Sequence, residues 1–258
     1  MRYFLELCYD GAAYFGWQRQ TNQPSVQQTI EQALSTLLRQ EILIIGAGRT
    51  DTGVHASYYV AHFDFEEQIA DCQQVAYKLN RILPRDIVIY SLSKVSDTLH
   101  ARFNALEREY HYYIEPQKHP FNRHRTWQYN IELDLEKMNQ AAAFLLEVED
   151  FTTFAKLNSN NKTNICHVVR ADWQQDEDGI LCFTIRADRF LRNMVRAIVG
   201  TLVDVGRGRY TVEQFRQKVL AKDLSQASGG APASGLFLAD VQYPQDLFTR
   251  QIPARKGE

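Results

Sequence analysis

Apolar and polar positions alternate over residues 2–9, with Tyr3, Leu5, Leu7 and Tyr9 on one face, which predicts a half-buried strand. Ser25-x-x-Gln28 forms a capping box, and Val26, Ile30, Ala33, Leu34 and Leu37 follow at helical spacing, so residues 25–39 read as a helix. The apolar run Ile42-Leu43-Ile44-Ile45 predicts a buried strand over 41–46. Tyr58, Val60, His62 and Asp64 alternate with Tyr59, Ala61, Phe63 and Phe65, which predicts a second long strand. A helix over 68–83 ends before Pro84, and Ile87-Val88-Ile89-Tyr90 opens a strand over 86–95. The order is β-α-β-β-α-β, the split ferredoxin-like unit.

The second half reads the same way, with additions. A strand covers 107–115 and a helix 134–146; a hairpin pair, 165–174 and 180–186, flanks Asp176-Glu177-Asp178-Gly179. A helix over 190–205 follows, then one opened by the capping box Thr211-x-x-Gln214. The Gly/Ala-rich stretch 225–235 is a loop, and 236–243 a last strand. The fold class is α+β: two similar ferredoxin-like β-α-β-β-α-β units with antiparallel sheets, 1–100 and 101–258, joined near 96–104 with a cleft between them.

Bulk properties narrow the classes. The 258 residues carry a net charge of −2, which argues against a strongly basic nucleic-acid coat. Distribution is more telling: six arginines against Asp188 and Asp204 give residues 186–209 a local +4, and arginine outnumbers lysine 20 to 9. Arginine's planar fork suits phosphate and base edges, which favours an anionic partner over chance, with solvated helix faces as the competing reading. The four cysteines show no C-x-x-C spacing, so reduced thiols in a cytosolic protein are expected. No signal-peptide core follows the start, and no apolar run approaches the ~18 residues that span a membrane.

The candidate chemistry lies in Gly48-Arg49-Thr50-Asp51-Thr52-Gly53-Val54-His55-Ala56, where one carboxylate sits between two glycines, two residues after an arginine. Gly46-x-Gly48 invites a dinucleotide-binding reading, but the third glycine position is Asp51 and the following residues alternate like a strand. Gly48-x4-Gly53 has P-loop spacing, yet Val54-His55 replace the Lys-Ser/Thr pair. No pair has zinc-site spacing; His119 and His124, five apart beside Pro120, suit a surface or RNA contact better than a metal. Two readings of Asp51 stay open on the residues alone: a turn in which it bonds backbone, and a reactive carboxylate.

A series of further blocks changes that balance. Tyr9-Asp10-Gly11-x-x-Tyr14-x-Gly16-Trp17-Gln18-x-Gln20 and Ser25-Val26-Gln27 precede the loop. His100-Ala101-Arg102-Phe103-x-Ala105-x-x-Arg108-x-Tyr110-x-Tyr112, Asp150-Phe151-Thr152-x-Phe154, the run from Phe190-Leu191 through Met194-Val195-Arg196 to Gly208, and Ala231-Pro232-Ala233-x-Gly235-Leu236 follow it. In this order they resemble the tRNA pseudouridine synthase A family over nearly the whole chain; 158–166 matches less well. The resemblance implies isomerisation of uridines in the tRNA anticodon stem-loop, at family positions 38, 39 and 40, without cofactor or metal. It implies tRNA as partner, a homodimer, a cytoplasmic enzyme and no membrane association. It assigns the catalytic aspartate to Asp51, its paired arginine to Arg196, the uracil-stacking ring to Tyr110, a contact around the flipped nucleotide to Arg49 and a substrate contact to Leu236. Arg19, Arg189 and Arg192 are expected RNA contacts. Helical spacing would cluster Arg189, Arg192 and Arg196 on one face, beside an apolar stripe of Leu191, Val195, Ile198 and Leu202. Trp17 and Tyr14 are open between fold core and RNA platform.

Overall fold

The computed structural model describes residues 1–156 and 162–251. The protein is mixed α+β, with mostly antiparallel strand pairing and five α-helices among the described residues. Its described residues divide into two compact units: Met1–Leu106 together with 238–251, and Glu107–Phe237. The expected division into 1–100 and 101–258 takes no account of this return of the C-terminal segment to the first unit.

In the first unit, β1 (Arg2–Tyr9) runs antiparallel between β3 (His55–Asp64) and β4 (Ile87–Val95). As the central strand it buries nearly every residue, not one face only. Helix α1 (Val26–Leu38) starts where Ser25 Oγ accepts from the Gln28 amide, and it buries Val26, Ile30, Ala33 and Leu34. Helix α2 (Cys72–Ile82) is capped by Asp71 and lies on β4. The strand expected over 41–46 shrinks to β2, Ile45–Gly46, paired with β3. The reason is local. Side chains of α1 take over the backbone there: Ser35 Oγ and the buried Glu31 carboxylate accept from the Ile42 and Ile44 amides, and the Gln27 side chain donates to the Ile44 carbonyl. Ile42 and Ile44 still point into the core while Leu43 and Ile45 are exposed.

In the second unit, β5 (Glu107–Glu115) pairs with β8 (Leu181–Ala187), which pairs with β7 (Val168–Gln175), all antiparallel. A short β6 (Trp127–Gln128) runs parallel to β5. Helices α3 (Leu135–Ala143), α4 (Met194–Gly206) and α5 (Val212–Leu220) pack on one another, α3 also against β7. The capping box at Thr211 is complete. The final strand β9 (Leu236–Gln242) begins in the second unit and ends in the first.

Helix α4 departs from expectation at its start. Residues 190–193 are outside it, because Asn193 takes a left-handed φ of 64° at the N-cap. Arg189 and Arg192 therefore do not share a helix face with Arg196. The helix is not amphipathic either: every residue is buried except Arg196, which is half-buried. An arginine stripe beside an apolar stripe does not form.

All four cysteines are free thiols, and burial raises Cys166 and Cys182 to about 11. These two thiols are protonated and chemically quiet near neutrality. No helix among the described residues is long and apolar enough to cross a membrane.

Candidate active site

The loop bearing Asp51 connects β2 to β3 and opens a strand, as its spacing requires, so neither the dinucleotide nor the P-loop reading has the helix it needs. The loop is mounted on residues 9–17. The Trp17 amide donates to the Thr50 carbonyl at 3.2 Å, the Gly53 amide to the Tyr14 carbonyl at 3.2 Å, and Tyr9 Oη shares a 2.9 Å hydrogen bond with Thr50 Oγ1. Inside the loop the Val54 amide donates to the Asp51 carbonyl at 3.1 Å. Gly16 stands at φ +96°, where a Cβ would lie 2.5 Å from the Thr50 carbonyl oxygen; a Cβ on Gly11 would lie 2.0 Å from that of Val54. These two glycines let the backbones approach closely enough to make the bonds.

Aromatic rings complete the mount. Trp17 stacks on Tyr59 with centroids 4.1 Å apart, and Tyr9 packs against both. Tyr59 donates to the Gly48 carbonyl. Tyr14 Oη donates to Asp86 at 2.8 Å, and burial beside that carboxylate raises its phenol well above the usual range. Trp17 and Tyr14 are 3% and 6% exposed, so both are core, not a free platform. Behind the loop, buried His55 places Nδ1 3.1 Å from the Asp10 carboxylate and accepts from the Gly11 amide at 3.1 Å. Asp51 itself is half-buried. Arg49 is exposed, with no hydrogen bond or ion pair among the described residues, so it extends from a loop that is otherwise fastened down. Arg19 is exposed as well, its guanidinium 3.9 Å from buried Glu31.

In the second unit Tyr110 sits on β5 opposite Ile185, half-buried, with its ring edge-to-face against Phe190 at 5.0 Å. Arg196 projects from α4 and donates through Nε to the Ala231 carbonyl at 2.6 Å, while the Ala231 amide donates back to the Arg196 carbonyl at 2.9 Å. The Nε bond holds the guanidinium against the Ala231 carbonyl and uses neither Nη group. The loop that holds it is itself clamped. The Ser228 amide and hydroxyl bond Thr201 and Asp204, Tyr112 Oη donates to the Pro232 carbonyl at 2.8 Å, and a Cβ on Gly200 would lie 2.3 Å from the Gly229 carbonyl oxygen. Leu236 follows, buried at 6% exposure, beginning β9.

The basic stretch 186–209 is less free than its composition suggests. Arg186 grips Glu109 at 2.6 Å, and Arg207 and Arg209 flank Asp204 at 2.6 and 3.4 Å. Glu109 also meets His111 at 2.9 Å; these partners hold its carboxyl at about 2 against the opposing effect of burial. Glu109 lies far away in sequence, so a local charge count could not find it. Arg189 is half-buried and Arg192 exposed. Residues 158–161 lie outside the described residues.

The fold and the loop first define a class: an antiparallel α+β chain that presents an aspartate from a rigid strand-to-strand loop, unlike nucleotide-binding oxidoreductases and P-loop proteins. Residues 8–104 and 122–244 match the family described as tRNA pseudouridine synthase. The chain is 53% identical over 252 residues to tRNA pseudouridine synthase A of Bacteroides thetaiotaomicron, covering 97% of this chain and 93% of that protein. It is 51% identical over 247 residues to the protein of that name from Bacteroides fragilis, covering 96% and 98%. At 38% identity over 255 residues it matches the one from Francisella tularensis subsp. novicida, covering 97% of each. The chain belongs to the tRNA pseudouridine synthase family.

Proposed function

We propose that the protein isomerises uridine to pseudouridine in the tRNA anticodon stem-loop, at positions 38, 39 and 40, with Asp51 as the catalytic carboxylate. The observation that carries the assignment to Asp51 is the mounting of its loop on residues 9–17, because a nucleophile must be held in place before substrate arrives. In the reaction the N1–C1′ bond breaks, the uracil turns, and a C5–C1′ bond forms. The C5 proton leaves and N1 ends protonated, so substrate and product are isomers and the scheme calls for no redox partner. A carboxylate serves as nucleophile towards C1′ or C6, or as base towards the sugar, and each route keeps the base enzyme-bound until rejoining. Water in the site would divert the intermediate to hydrolysis.

The resemblance gives Tyr110 the part of stacking the flipped uracil, and its half-exposed ring, braced by Phe190, suits that part. Arg196 is the charge partner of the carboxylate, a role served by a guanidinium whose Nε is already fixed. Arg49, exposed on the same loop as Asp51, meets RNA around the flipped nucleotide; Leu236 borders the base; Arg19, Arg189 and Arg192 meet the RNA backbone. The same reading carries two ferredoxin-like units, a cytoplasmic location and a homodimer.

Tritium release from C5-labelled uridine in tRNA tests the proposal. Wild type releases label stoichiometrically with pseudouridine formed, and Asp51→Asn reduces the single-turnover rate by 10³-fold or more, on the order of 4 kcal/mol. Undiminished release by Asp51→Asn ends the assignment. Binding of tRNA by wild type with no change in nucleoside composition makes the protein an RNA-binding module.

A further inference from the structure

We propose that the exposed loop 118–125 is a second tRNA-contact site, in which Lys118 and Arg123 meet phosphates and Phe121 stacks on an unpaired base; this rests on tRNA being the substrate. The loop links β5 to β6. It carries Lys118, Arg123 and Arg125, and no acidic residue occurs from 116 to 126. Residues 116–121 and 123–125 are all exposed. Phe121 is 85% exposed, the most of any large apolar residue among those described.

A single exposed apolar side chain is ordinary. Two features set this one apart. The first is its company, since an aromatic ring set among cations is the composition with which proteins bind single-stranded RNA. The second is that the loop is built. Buried Glu115 accepts from Asn122 Nδ2 at 3.2 Å and from Thr126 Oγ1 at 2.9 Å, so a carboxylate below anchors the residue after Phe121 and the end of the loop. The Arg125 and Thr126 amides both donate to the Asn122 carbonyl, closing a turn. Arg123 is braced from two sides, Nη1 donating to the Pro120 carbonyl at 2.8 Å and Nε to His124 Nε2 at 3.0 Å. The His119 ring lies 5.7 Å from the Phe121 ring, and its carbonyl accepts from the Gln128 side chain. The loop backbone and the Arg123 guanidinium are thus presented with part of their ordering entropy already lost, which favours binding.

Affinity for full-length tRNA, measured by fluorescence anisotropy across a salt series, tests the assignment. The double variant Lys118→Ala/Arg123→Ala lowers the slope of log K against log salt by roughly 0.7–0.9 per charge removed. Phe121→Ala weakens binding about tenfold while Phe121→Trp retains it. The single-turnover rate at saturating tRNA is unchanged and KM rises. Arg123→Lys keeps the charge and keeps the slope; a slope reduced as by alanine overturns the electrostatic account. Wild-type affinity and slope in the alanine variants overturn the inference while pseudouridine formation by wild type leaves the proposed function standing. Absence of both tRNA binding and pseudouridine in wild type removes that function itself. A changed oligomeric state in sedimentation, with the salt slope intact, makes the loop a contact between copies and refutes the proposal.

Discussion

At the scale of single residues, the Asp51 loop depends on atoms that are not there. Gly16 has no Cβ, and that absence allows the Thr50 carbonyl to come close enough to bond the Trp17 amide. Gly16→Ala meets two penalties at once, a left-handed φ and a 2.5 Å contact with a backbone oxygen that cannot rotate away. We expect a loss of about 1–3 kcal/mol in thermal or urea unfolding. The activity loss is larger, on the order of 10²-fold in single-turnover tritium release, because a displacement near 1 Å at a reacting group has that effect. Gly48 is the contrast within the same signature: a Cβ there meets nothing within 4 Å and φ is not positive. Gly48→Ala leaves the melting temperature within a degree or two. Equal destabilisation by the two substitutions would contradict the mounting account. Arg196→Met tests the other unit at this scale. It lowers the single-turnover rate far more than tRNA affinity, and the reverse pattern makes Arg196 a phosphate contact.

At the scale of elements, α4 and the 228–236 loop behave as one part. Propensity alone says that Gly200→Ala stabilises the helix by up to ~1 kcal/mol. Packing says the opposite, since the new Cβ falls 2.3 Å from the Gly229 carbonyl oxygen, and displacing that backbone disturbs the Ala231 pair that sets Arg196. The clash wins, at about 1–3 kcal/mol of overpacking. The variant therefore melts lower than wild type and loses activity, and a higher melting temperature would show the loop to be compliant. The same element marks how far the sequence is legible. Strands and helices with a clean period, such as 2–9, 25–39 and 107–115, need only local information and are readable. The start of α4 is not, because one left-handed Asn193 decides it. Nor is the fate of 41–44, whose backbone bonds depend on Glu31 and Ser35 of a preceding helix. At the site, Asp51 stands out by its glycines and the neighbouring arginine. The function of the block 9–17 as its mount does not, since its bonds to the loop join residues far apart in sequence, 41 positions for Tyr9 and Thr50.

At the scale of the whole molecule, the two units carry different acid sensitivities. His62, in β3 of the first unit, is 1% exposed, and its Nδ1 accepts from the Ala101 amide at 3.2 Å. Burial, with Arg2 and His100 nearby, lowers it from 6.5 to about 4. A group whose folded value is depressed contributes stability above its unfolded value and loses it as pH falls towards the folded one, so the first unit weakens between pH 6.5 and 4. Glu109 in the second unit is lowered from 4.5 to about 2, which places its window between 4.5 and 2 by the same sign. Each shift corresponds to at most about 3–4 kcal/mol. The two windows barely overlap, so His62 responds to acid before Glu109 does. At pH 5, hydrogen exchange followed by mass spectrometry, corrected for intrinsic rates, shows lost protection in β1 and β3 while β5 and β8 keep theirs. His62→Gln, which keeps an acceptor for Ala101 and cannot be protonated in this range, flattens the first unit's dependence between pH 6.5 and 4. Loss of protection in both units at one pH, or an unaltered profile in His62→Gln, would contradict the assignment of this sensitivity to His62. The outcome also bears on function, because Asp51 belongs to the same unit as His62, and a fall in activity near pH 5 then reports weakening of its scaffold.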